Sequence, residues 1–446
     1  WTAGIAGPGE HAGIFDGERY DAREPLGFET PEKLSTPEEN TEFQGEILPS
    51  DGAEVYLRQD LALHPVKAYT WQDVEGANEA EGDAKEYGKV VIVEEFAPKE
   101  EIVVKAGQTL VVDFGQNCAA VPSFVFKADA GTELTCLPGE LLNDGNGARS
   151  RGMDGPEGSV HRDNLRMNEN AIRLDYTFKG GDGFETYRPH CTFFGYRFVS
   201  VTATGEVTIK NLQSVPVTSI GKHLETGVIT TGDELINKLI SNTIWGQRSN
   251  YLSVPTDCPQ RNERLGWTAD TQEFTETGTF FANTDKFFHK WMRDMRDTQS
   301  ELGGFPGVAP LAQYGNEMMR VGWADAGIIV PWTIWKQFGD NDIVEENWDA
   351  MNRFINHVND NSFKIEVYDK SEGTFLFITD LGHMYVDGRE GAPDSLFQMK
   401  AVGDNTFQLC GSDENPTWRS TDDMEGYFVG MYTEYNNAKD NVVTGP

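Results

Sequence analysis

The chain has 446 residues, of which 38% are hydrophobic and 11% aromatic. This composition excludes a disordered chain and leaves room for two or three globular domains. Its 37 basic and 72 acidic residues give a formal net charge of -35. Because nucleic acids and anionic membrane surfaces repel such a charge, we expect neither as a partner.

The sequence contains no apolar run long enough for a membrane span, and no basic-then-apolar signal segment at its start. It begins at Trp1 without a methionine, as a processed or partial product would. The acidity fits a very soluble protein with a neutral substrate, or a salt-rich or extracytoplasmic setting, and it cannot choose between these. The location is left open, with a secreted or periplasmic one slightly favoured over a cytoplasmic one.

Residues 1–88 mix short β-type runs with glycine, proline and acidic loops. We interpret them as the remnant of an N-terminal β-domain followed by a linker. The run 15–23 reads F-D-G-E-R-Y-D-A-R, and we interpret it as an inter-domain strand and turn. The acidic, Gly/Ala-rich segment 75–86 is predicted to be an exposed loop.

Residues 89–222 are dominated by short runs of β-branched and aromatic residues, separated by Gly, Asn, Asp or Pro. The runs lie at 90–93, 101–104, 109–112, 123–126, 174–178, 196–201 and 207–209. Many short strands at such spacing predict an antiparallel β-sandwich. The polar segment 143–170 is predicted to be a surface loop, because it lacks the spacing of a calcium-binding EF-hand.

In residues 223–446 the apolar residues recur with a period of about 3.6, in place of the period of two in the preceding segment. Asp233 is the predicted N-cap of a first helix, whose apolar stripe contains Ile236, Ile240 and Ile244 together with Leu235 and Leu239. Further helices are predicted at 268–281, after the N-T-D sequence at 283–285, and at 326–338, 345–358 and 421–439, whereas 363–412 is predicted to be irregular. The short connections indicate an array of α-hairpins.

The stretch 257–270 holds the strongest chemical signal in the chain. Asp257 lies between two prolines, where a regular helix is disfavoured, so a loop is predicted there. Glu263, Trp267 and Asp270 follow at i, i+4 and i+7, and they share one face if this part is helical. An acid, a second carboxylate and an aromatic plate in one cleft are what a glycosidase requires.

The same stretch also suits a solvated network in which Arg261 and Arg264 simply neutralise the acids. Cys258, within it, lacks a nearby histidine and is therefore not predicted to be a nucleophile. The five cysteines of the chain are widely spaced and odd in number, so buried free thiols are expected. The eight histidines show no metal-binding spacing, and neither a metal nor a cofactor is predicted.

The run 257–270 resembles the signature of the bacterial α-L-rhamnosidases of glycoside hydrolase family seventy-eight, D-C-P-Q-R-D-E-R-L-G-W-T-G-D. It departs from that signature at Asn262 and Ala269. The runs 15–23, 113–117 and 194–199 are similar to three further motifs of the family, Y-x-G-E-x-Y-D-A-R, D-F-G-Q-N and F-G-F-R-Y-V, in the same order. The resemblance implies a multidomain α and β fold, with an antiparallel β-sandwich followed by an (α/α)6 toroid that is incomplete within residues 223–446.

The resemblance further implies an inverting exo-glycoside hydrolase that releases terminal α-L-rhamnose. By position, Glu263 would be its general acid. Asp257 and Asp270 would bind sugar hydroxyls and help to keep Glu263 protonated through like-charge proximity. Arg261 would order the carboxylates or donate to the sugar, and Trp267 would present an apolar face to the ring.

Two more residues are candidates for the sugar pocket. Trp323 lies in a run that is similar to the family's G-W-x-D-A motif. Two roles are left open for it, a second wall of the sugar pocket and a core position between helices. Trp332 and Trp335 are predicted to be core residues. Asp404 belongs to a phrase similar to the family's F-G-D-W, in which Asn405 replaces the tryptophan.

An inverting enzyme also needs a general base, about 6.5–9.5 Å from the acid. In the family this is a glutamate in a later part of the barrel, and Glu414, Glu425 and Glu434 do not match its motif, so no base is assigned. A non-catalytic rhamnoside-binding homologue and an inverting toroid glycosidase with another sugar preference are therefore kept as alternatives. The implied partner is a carbohydrate, and homo-oligomerisation is left open.

Overall fold

The structure is a computed structural model of the chain. It describes residues 7–25, 52–81, 84–98, 100–145, 155–165, 172–316, 318–320 and 322–360, and the short segments 3–4, 34–36, 42, 363–368, 375–380, 398–403, 406–410 and 442–444. By its internal contacts the chain divides into two compact units. The first contains Trp1–Trp291 and Lys336–Gly339, and the second contains Met292–Trp335 and Asp340–Pro446.

The described strands up to the first helix are β1 Ala3–Gly4, β2 Gly9–Gly13, β3 Gly17–Asp21, β4 Leu34–Ser35, β5 Tyr56–Leu57, β6 Lys67–Glu75, β7 Lys89–Phe96, β8 Ile102–Val104, β9 Thr109–Ala128, β10 Glu133–Gly139, β11 Leu141–Leu142, β12 Val160–His161, β13 Arg173–Thr177, β14 Glu185–Tyr187, β15 Phe194–Ala203 and β16 Val207–Thr218. The later strands are β17 Tyr251–Leu252, β18 Val254–Pro255, β19 Phe363–Tyr368, β20 Phe375–Asp380, β21 Gln398–Gly403, β22 Thr406–Cys410 and β23 Val442–Thr444. The described helices are α1 Glu234–Asn250, α2 Thr268–Phe281, α3 Asp285–Asp297, α4 Ala326–Phe338 and α5 Asp342–Asp360.

The first unit is built on a sheet of twelve described strands, whose main path runs β2-β3-β13-β10-β15-β9-β16-β5. Its pairings are antiparallel except for β3 beside β13. The 20-residue strand β9 links the layers, because its first half pairs with β6 and β15 and its second half with β14 and β16. The main core cluster, which includes Leu110, Phe126 and Tyr196, is buried by this sheet. The predicted β-sandwich is thereby confirmed, and β2, β3 and β6 of the predicted N-terminal remnant belong to the same sheet.

Two sequence motifs of the sheet meet in an ion pair. The Arg197 guanidinium donates from Nε and Nη2 to the two carboxylate oxygens of Asp113, both at 2.8 Å. One of these oxygens also accepts from the Gly115 backbone N–H at 2.7 Å, and Gly115 has a φ of +76°, which favours glycine. The D-F-G-Q-N and F-G-Y-R-F-V runs therefore have structural contacts, as their turn residues predict.

Helix α1 begins as predicted, because the Asp233 carboxylate accepts from the backbone N–H groups of Leu235 and Ile236. Within the described part the apolar stripe of this helix is largely exposed at its start: Leu235 is 79% exposed and Leu239 is 65% exposed. The helix instead reaches the sheet near its C-terminal end, where Trp245 packs against the main core. Its N-terminal residues contact no described apolar surface large enough to cover them.

The predicted helices α2, α3 and α4 are confirmed, and α5 is slightly longer than predicted. Helix α3 buries one apolar face, formed by Phe287, Phe288, Trp291, Met292 and Met295. The predicted helix at 421–439 lies outside the described residues.

Two predictions for the second unit are wrong. Trp332 is 58% exposed and Trp335 is 37% exposed, so they form no described core; the two rings pack on each other instead, 5.0 Å apart. The segment 363–412, predicted to be irregular, contains β19–β22. Its strands are rich in β-branched and aromatic residues, which fit a pleated backbone.

The predicted division at 1–88, 89–222 and 223–446 stays a prediction. Among the described residues, no helix is both long enough and apolar enough to span a membrane.

Candidate active site

The candidate site is a closed loop between β18 and α2. Its ends are held together because the Asp257 backbone N–H donates to the Leu265 carbonyl oxygen at 2.9 Å. Within it, Cys258 and Arg264 both adopt a φ of +51°, in the left-handed region that turns the chain sharply. The loop thereby brings Asp257, at its start, close to Glu263 near its end.

Glu263 is held by two donors from its own loop. Its Oε1 accepts from the indole Nε1 of Trp267 at 2.7 Å, and its Oε2 accepts from Nη2 of Arg261. Only 12% of the Glu263 side chain and 11% of the Arg261 side chain are exposed. Both carboxylate oxygens therefore have a fixed direction before any ligand arrives.

The expected helical arrangement of Glu263, Trp267 and Asp270 is wrong in its geometry. Helix α2 begins only at Thr268, and Trp267 is its N-cap residue with extended backbone. Glu263 and Trp267 meet because the loop folds back on itself. Only Asp270 lies in the helix, in its first turn.

The pKa of Glu263 is lowered from its ordinary value, contrary to the expectation that neighbouring acids keep it protonated. Burial by itself raises this pKa, but the hydrogen bond from Trp267 and the positive charge of Arg261 outweigh that effect. These two contacts therefore hold Glu263 as a carboxylate at neutral pH.

Asp270 shows the opposite behaviour. Its pKa is raised, first by partial burial and then by the negative charges of Asp257 and Glu263. The side chain still reaches solvent, because it lies at the edge of an open depression. Like-charge proximity thus acts at this site, but the group whose pKa rises is Asp270.

Asp257 and Asp270 line a depression of about 520 Å³ between α1 and α2. Its wall includes polar groups suited to hydroxyls and two aromatic rings: Thr243, Gln247, Asn250, Thr256, Thr271, Glu273, Tyr251 and Phe274. Behind it, the Tyr251 ring stacks on Phe287 with centroids 4.7 Å apart. Polar groups around a partly apolar concavity are typical of a small-ligand site.

Cys258 is a residue whose contacts were not anticipated from the sequence. Its Sγ accepts from Nη2 of Arg261 at 3.0 Å and donates to Oδ2 of Asp257 at 3.2 Å. Burial, together with the hydrogen bond to the Asp257 carboxylate and its negative charge, raises the pKa of this thiol to about 12. Cys258 is thus a neutral connector between Asp257 and Arg261, as expected for a residue that is not a nucleophile.

The other thiols are only partly as predicted. Cys118 and Cys136 are buried and free, whereas Cys191 is free and exposed, so the expectation of buried thiols is wrong for that residue.

The ligand atoms of Asp257, Cys258 and Glu263 lie within 4.8 Å of one another, a spacing at which they could hold a metal ion. The guanidinium of Arg261 already contacts the thiol and the Glu263 carboxylate. The positive charge at this cluster is therefore supplied by the chain itself.

Arg264 does not have the neutralising role that was one interpretation of the sequence. Its guanidinium donates to backbone carbonyl oxygens of Pro259, Ile14 and Phe193. It also lies over the Phe193 ring, 3.8 Å from the centroid. Among the described contacts, the arginine that reaches the Glu263 carboxylate is Arg261 and not Arg264.

Two candidates are not joined to this cluster by any described contact. Trp323 lies in the second compact unit, in the turn before α4, and the guanidinium of Arg320 covers its ring at 3.7 Å. Asp404 lies outside the described residues. Their predicted roles in sugar binding stay predictions.

Two family models match the chain. The concanavalin-like domain of bacterial alpha-L-rhamnosidases matches residues 104–219, and the bacterial alpha-L-rhamnosidase 6 hairpin glycosidase domain matches residues 224–377. The chain belongs to the bacterial α-L-rhamnosidase family. The 6 hairpin match contains the whole candidate loop, and together the two matches support a β-sandwich followed by a toroid of α-hairpins.

Curated members of the α-L-rhamnosidase family are similar over most of this chain. The alpha-L-rhamnosidase of Streptomyces avermitilis is 32% identical over 407 residues, which are 85% of this chain and 37% of that protein. One from Formosa agariphila is 30% identical over 359 residues, 80% of this chain and 34% of that protein. A solved structure of the Streptomyces avermitilis alpha-L-rhamnosidase complexed with L-rhamnose has a TM-score of 0.61 at 29% identity, over 80% of this chain and 30% of that one. The chain therefore spans about a third of the length of these relatives.

Proposed function

We propose that the full-length protein is an exo-glycoside hydrolase that releases terminal α-L-rhamnose, with Glu263 as its general acid. The observation that carries this proposal is the Glu263 carboxyl, which Arg261 and Trp267 hold in place. One of its oxygens lies within 4.8 Å of a carboxylate oxygen of Asp257, which lines the depression together with Asp270. The family membership supports it, as does the Streptomyces avermitilis relative, whose structure is described as complexed with L-rhamnose. We propose residues 223–446 as part of the catalytic domain.

In this proposal the remaining side chains bind and orient the sugar. Asp257 and Asp270 accept hydrogen bonds from ring hydroxyls, since both carboxylates line the depression. Trp267 offers an apolar face to the deoxy sugar while its N–H holds Glu263. We propose Trp323 and Asp404 as further sugar contacts.

A general acid must carry a proton, whereas the contacts from Trp267 and Arg261 favour the Glu263 carboxylate. We infer that sugar binding raises the pKa of Glu263 enough for the carboxyl group to hold a proton. A bound sugar displaces water from the depression, and the resulting desolvation raises the pKa of a carboxyl group. Glu263 would then take up its proton in the complex and donate it to the glycosidic oxygen.

We propose inversion of configuration, which requires a second carboxylate, about 6.5–9.5 Å from the acid, to activate water. We assign that general base to no residue of the described part. The product's anomeric configuration, followed by NMR immediately after mixing, tests this step. Net retention would contradict it.

One observation favours a non-catalytic rhamnoside-binding protein as a second candidate. The two donors to Glu263 lower its pKa, and an ionised carboxylate is suited to accept hydrogen bonds from a sugar rather than to protonate a leaving group. A hydrolase of this architecture with another sugar preference is the third candidate.

Hydrolysis of an aryl α-L-rhamnoside by the full-length protein separates these candidates. Loss of the general acid costs about 10²- to 10⁴-fold, so Glu263→Gln is expected to lower kcat by that factor. Glu276→Gln is the matched control, because Glu276 is an exposed carboxylate on the same helix α2 that does not line the depression and pairs with Lys336 instead. Its kcat should stay near the wild-type value.

Three results would overturn parts of the proposal. Binding of L-rhamnose without any turnover would support the binding protein instead. Turnover of other aryl glycosides in place of the rhamnoside would support the third candidate. A normal kcat in Glu263→Gln would remove Glu263 as the acid of an active enzyme.

A further inference from the structure

The candidate active-site loop rests directly on the β-sheet at one glycine. Gly195, on β15, leaves so little space that an added Cβ would lie 2.7 Å from Cα and 2.8 Å from the backbone N of Gln260. Real Cβ atoms essentially never approach backbone that closely. Gln260 lies three residues before Glu263, so the height of this loop above the sheet is set by the absence of a side chain at residue 195.

A second contact fixes the other side of Glu263. The next residue, Arg264, has a left-handed backbone with a φ of +51°. Its Nη1 donates to the Ile14 carbonyl oxygen at 2.5 Å and its Nη2 to the Phe193 carbonyl oxygen at 2.7 Å. The guanidinium also lies between the rings of Phe15 and Phe193, at 5.3 and 3.8 Å from their centroids.

These contacts join three distant parts of the chain. Ile14 and Phe15 form the turn between β2 and β3, Phe193 immediately precedes β15, and Arg264 belongs to the loop. Burial lowers the pKa of Arg264 to about 10, which agrees with a guanidinium enclosed by protein. Arginine suits this position because its planar fork can reach several carbonyl oxygens and stack on rings at once, which an ammonium group cannot do.

We propose that Gly195 and Arg264 are positioning residues for the Glu263 carboxyl, so that the β-sandwich and its N-terminal hairpin set the geometry of the acid. This inference rests on the proposed function of Glu263. Neither residue touches the depression; each acts through the backbone of the loop, on one side of Glu263 or the other.

Small displacements matter at such a position. With a Cβ at Gly195, Gln260 would have to move by roughly 0.7 Å to reach ordinary contact near 3.4 Å. A misplacement of about 1 Å at a catalytic group can lower a rate about 10²-fold. The same displacement would loosen the bonds from Trp267 and Arg261, and the pKa of Glu263 would rise toward its ordinary value.

The test compares two loop variants of the full-length protein with two matched controls. The variants are Gly195→Ala and Arg264→Lys. Gly139→Ala is a control because its Cβ would also press on a strand packed nearby, 2.4 Å from Val160 Cγ1 on β12. Arg162→Lys is a control because Arg162 is a buried arginine bonded to the carbonyl oxygens of Pro138 and Ile172, in a different part of the unit.

Both loop variants are expected to lower kcat for an aryl α-L-rhamnoside about 10- to 100-fold. The alkaline limb of their pH–rate profile should move to higher pH, and hydrogen exchange should accelerate in peptides covering 257–267. The controls should lower Tm but leave the pH limb and the exchange of the loop unchanged. A change in fold stability alone would not move the pH limb.

The inference fails if both loop variants fold and keep the wild-type kcat, pH limb and loop exchange. If Arg264→Lys does not fold, Gly195→Ala decides the question alone. If the wild-type protein shows no turnover, the proposed function has failed instead. Hydrogen exchange then still decides the positioning role: faster exchange of the loop in the variants and not in the controls supports it, and equal exchange overturns it.

Discussion

Replacing Trp267 by phenylalanine removes one hydrogen bond from the proposed acid and keeps an aromatic ring in place. The indole Nε1 donates to Glu263 Oε1 at 2.7 Å, and the acceptor side chain is only 12% exposed. Phenylalanine has no donor, so Glu263 would keep Arg261 as its partner. The perturbation therefore tests whether this bond lowers the pKa of Glu263.

The magnitude follows from the charge on the acceptor. A hydrogen bond to a charged group contributes about 1.5–3 kcal/mol net, and one pKa unit corresponds to about 1.36 kcal/mol. The full bond is thus equivalent to about one to two units, and water that enters the vacated space would recover part of it. We expect the pKa of Glu263 to rise by about one unit in Trp267→Phe.

The alkaline limb of kcat/KM for an aryl α-L-rhamnoside reports this pKa in the free enzyme. A general acid loses its proton as the pH rises through its pKa, so a higher pKa moves the falling limb to higher pH. The expected shift is about one pH unit upward. Trp71→Phe is the control, because Trp71 Nε1 is buried and has no hydrogen-bond partner in the described part of the chain. An unmoved limb in a folded Trp267→Phe variant, or an equal shift in the control, would refute the reasoning.

Three further results are expected. The alkaline limb of kcat should lie at higher pH than that of kcat/KM, because the bound sugar buries Glu263 further; coincident limbs in the wild-type protein would contradict this. Iodoacetamide at pH 8 should label exposed Cys191 and spare Cys258, whose thiol pKa is raised to about 12. Peptide mass spectrometry measures the labelling of each cysteine, and faster labelling of Cys258 than of Cys191 would contradict the prediction. Asp270→Asn should raise the free energy of unfolding at pH 7 by less than about 1 kcal/mol, because the pKa of Asp270 is raised in the fold and its ionised form is disfavoured there. Urea titrations should show this gain in unfolding free energy vanish as the pH falls below the ordinary aspartate pKa of 3.8. If the variant shows no gain at pH 7, the repulsion of Asp270 by Asp257 and Glu263 is disproved.

The sequence was a good guide to local elements. The bounds of α2 and α4 and the buried face of α3 follow from hydrophobic periodicity, which acts within a few turns of helix. Periodicity does not predict whether a whole apolar stripe is buried, because burial depends on which other part of the chain packs against the stripe. Leu235, Leu239 and Trp332 are apolar at helical spacing and still largely exposed in the described part.

The candidate site was chosen partly because of helical spacing, and that reason does not hold. Helical spacing predicted that Glu263 and Trp267 share one face. In the structure, two residues with left-handed backbone fold the loop so that the side chains of Glu263 and Trp267 meet. Spacing also cannot tell which of two arginines reaches a carboxylate. Arg261 does, and Arg264 is bound to carbonyl oxygens, so the direction of the Glu263 pKa could not be predicted.

Arg261 is the residue that can reconcile an ionised Glu263 with a general acid. Its Nε is buried and has no hydrogen-bond partner among the described residues, and an unsatisfied buried donor costs about 1–3 kcal/mol. A sugar hydroxyl that draws the guanidinium toward the depression would relieve that cost and weaken its contact with Glu263. Because the Arg261 charge is one of the two main influences that lower the Glu263 pKa, the same movement would raise that pKa. Proton uptake by the acid would then be coupled to arrival of the sugar, while the bond from Trp267 keeps the carboxyl in place.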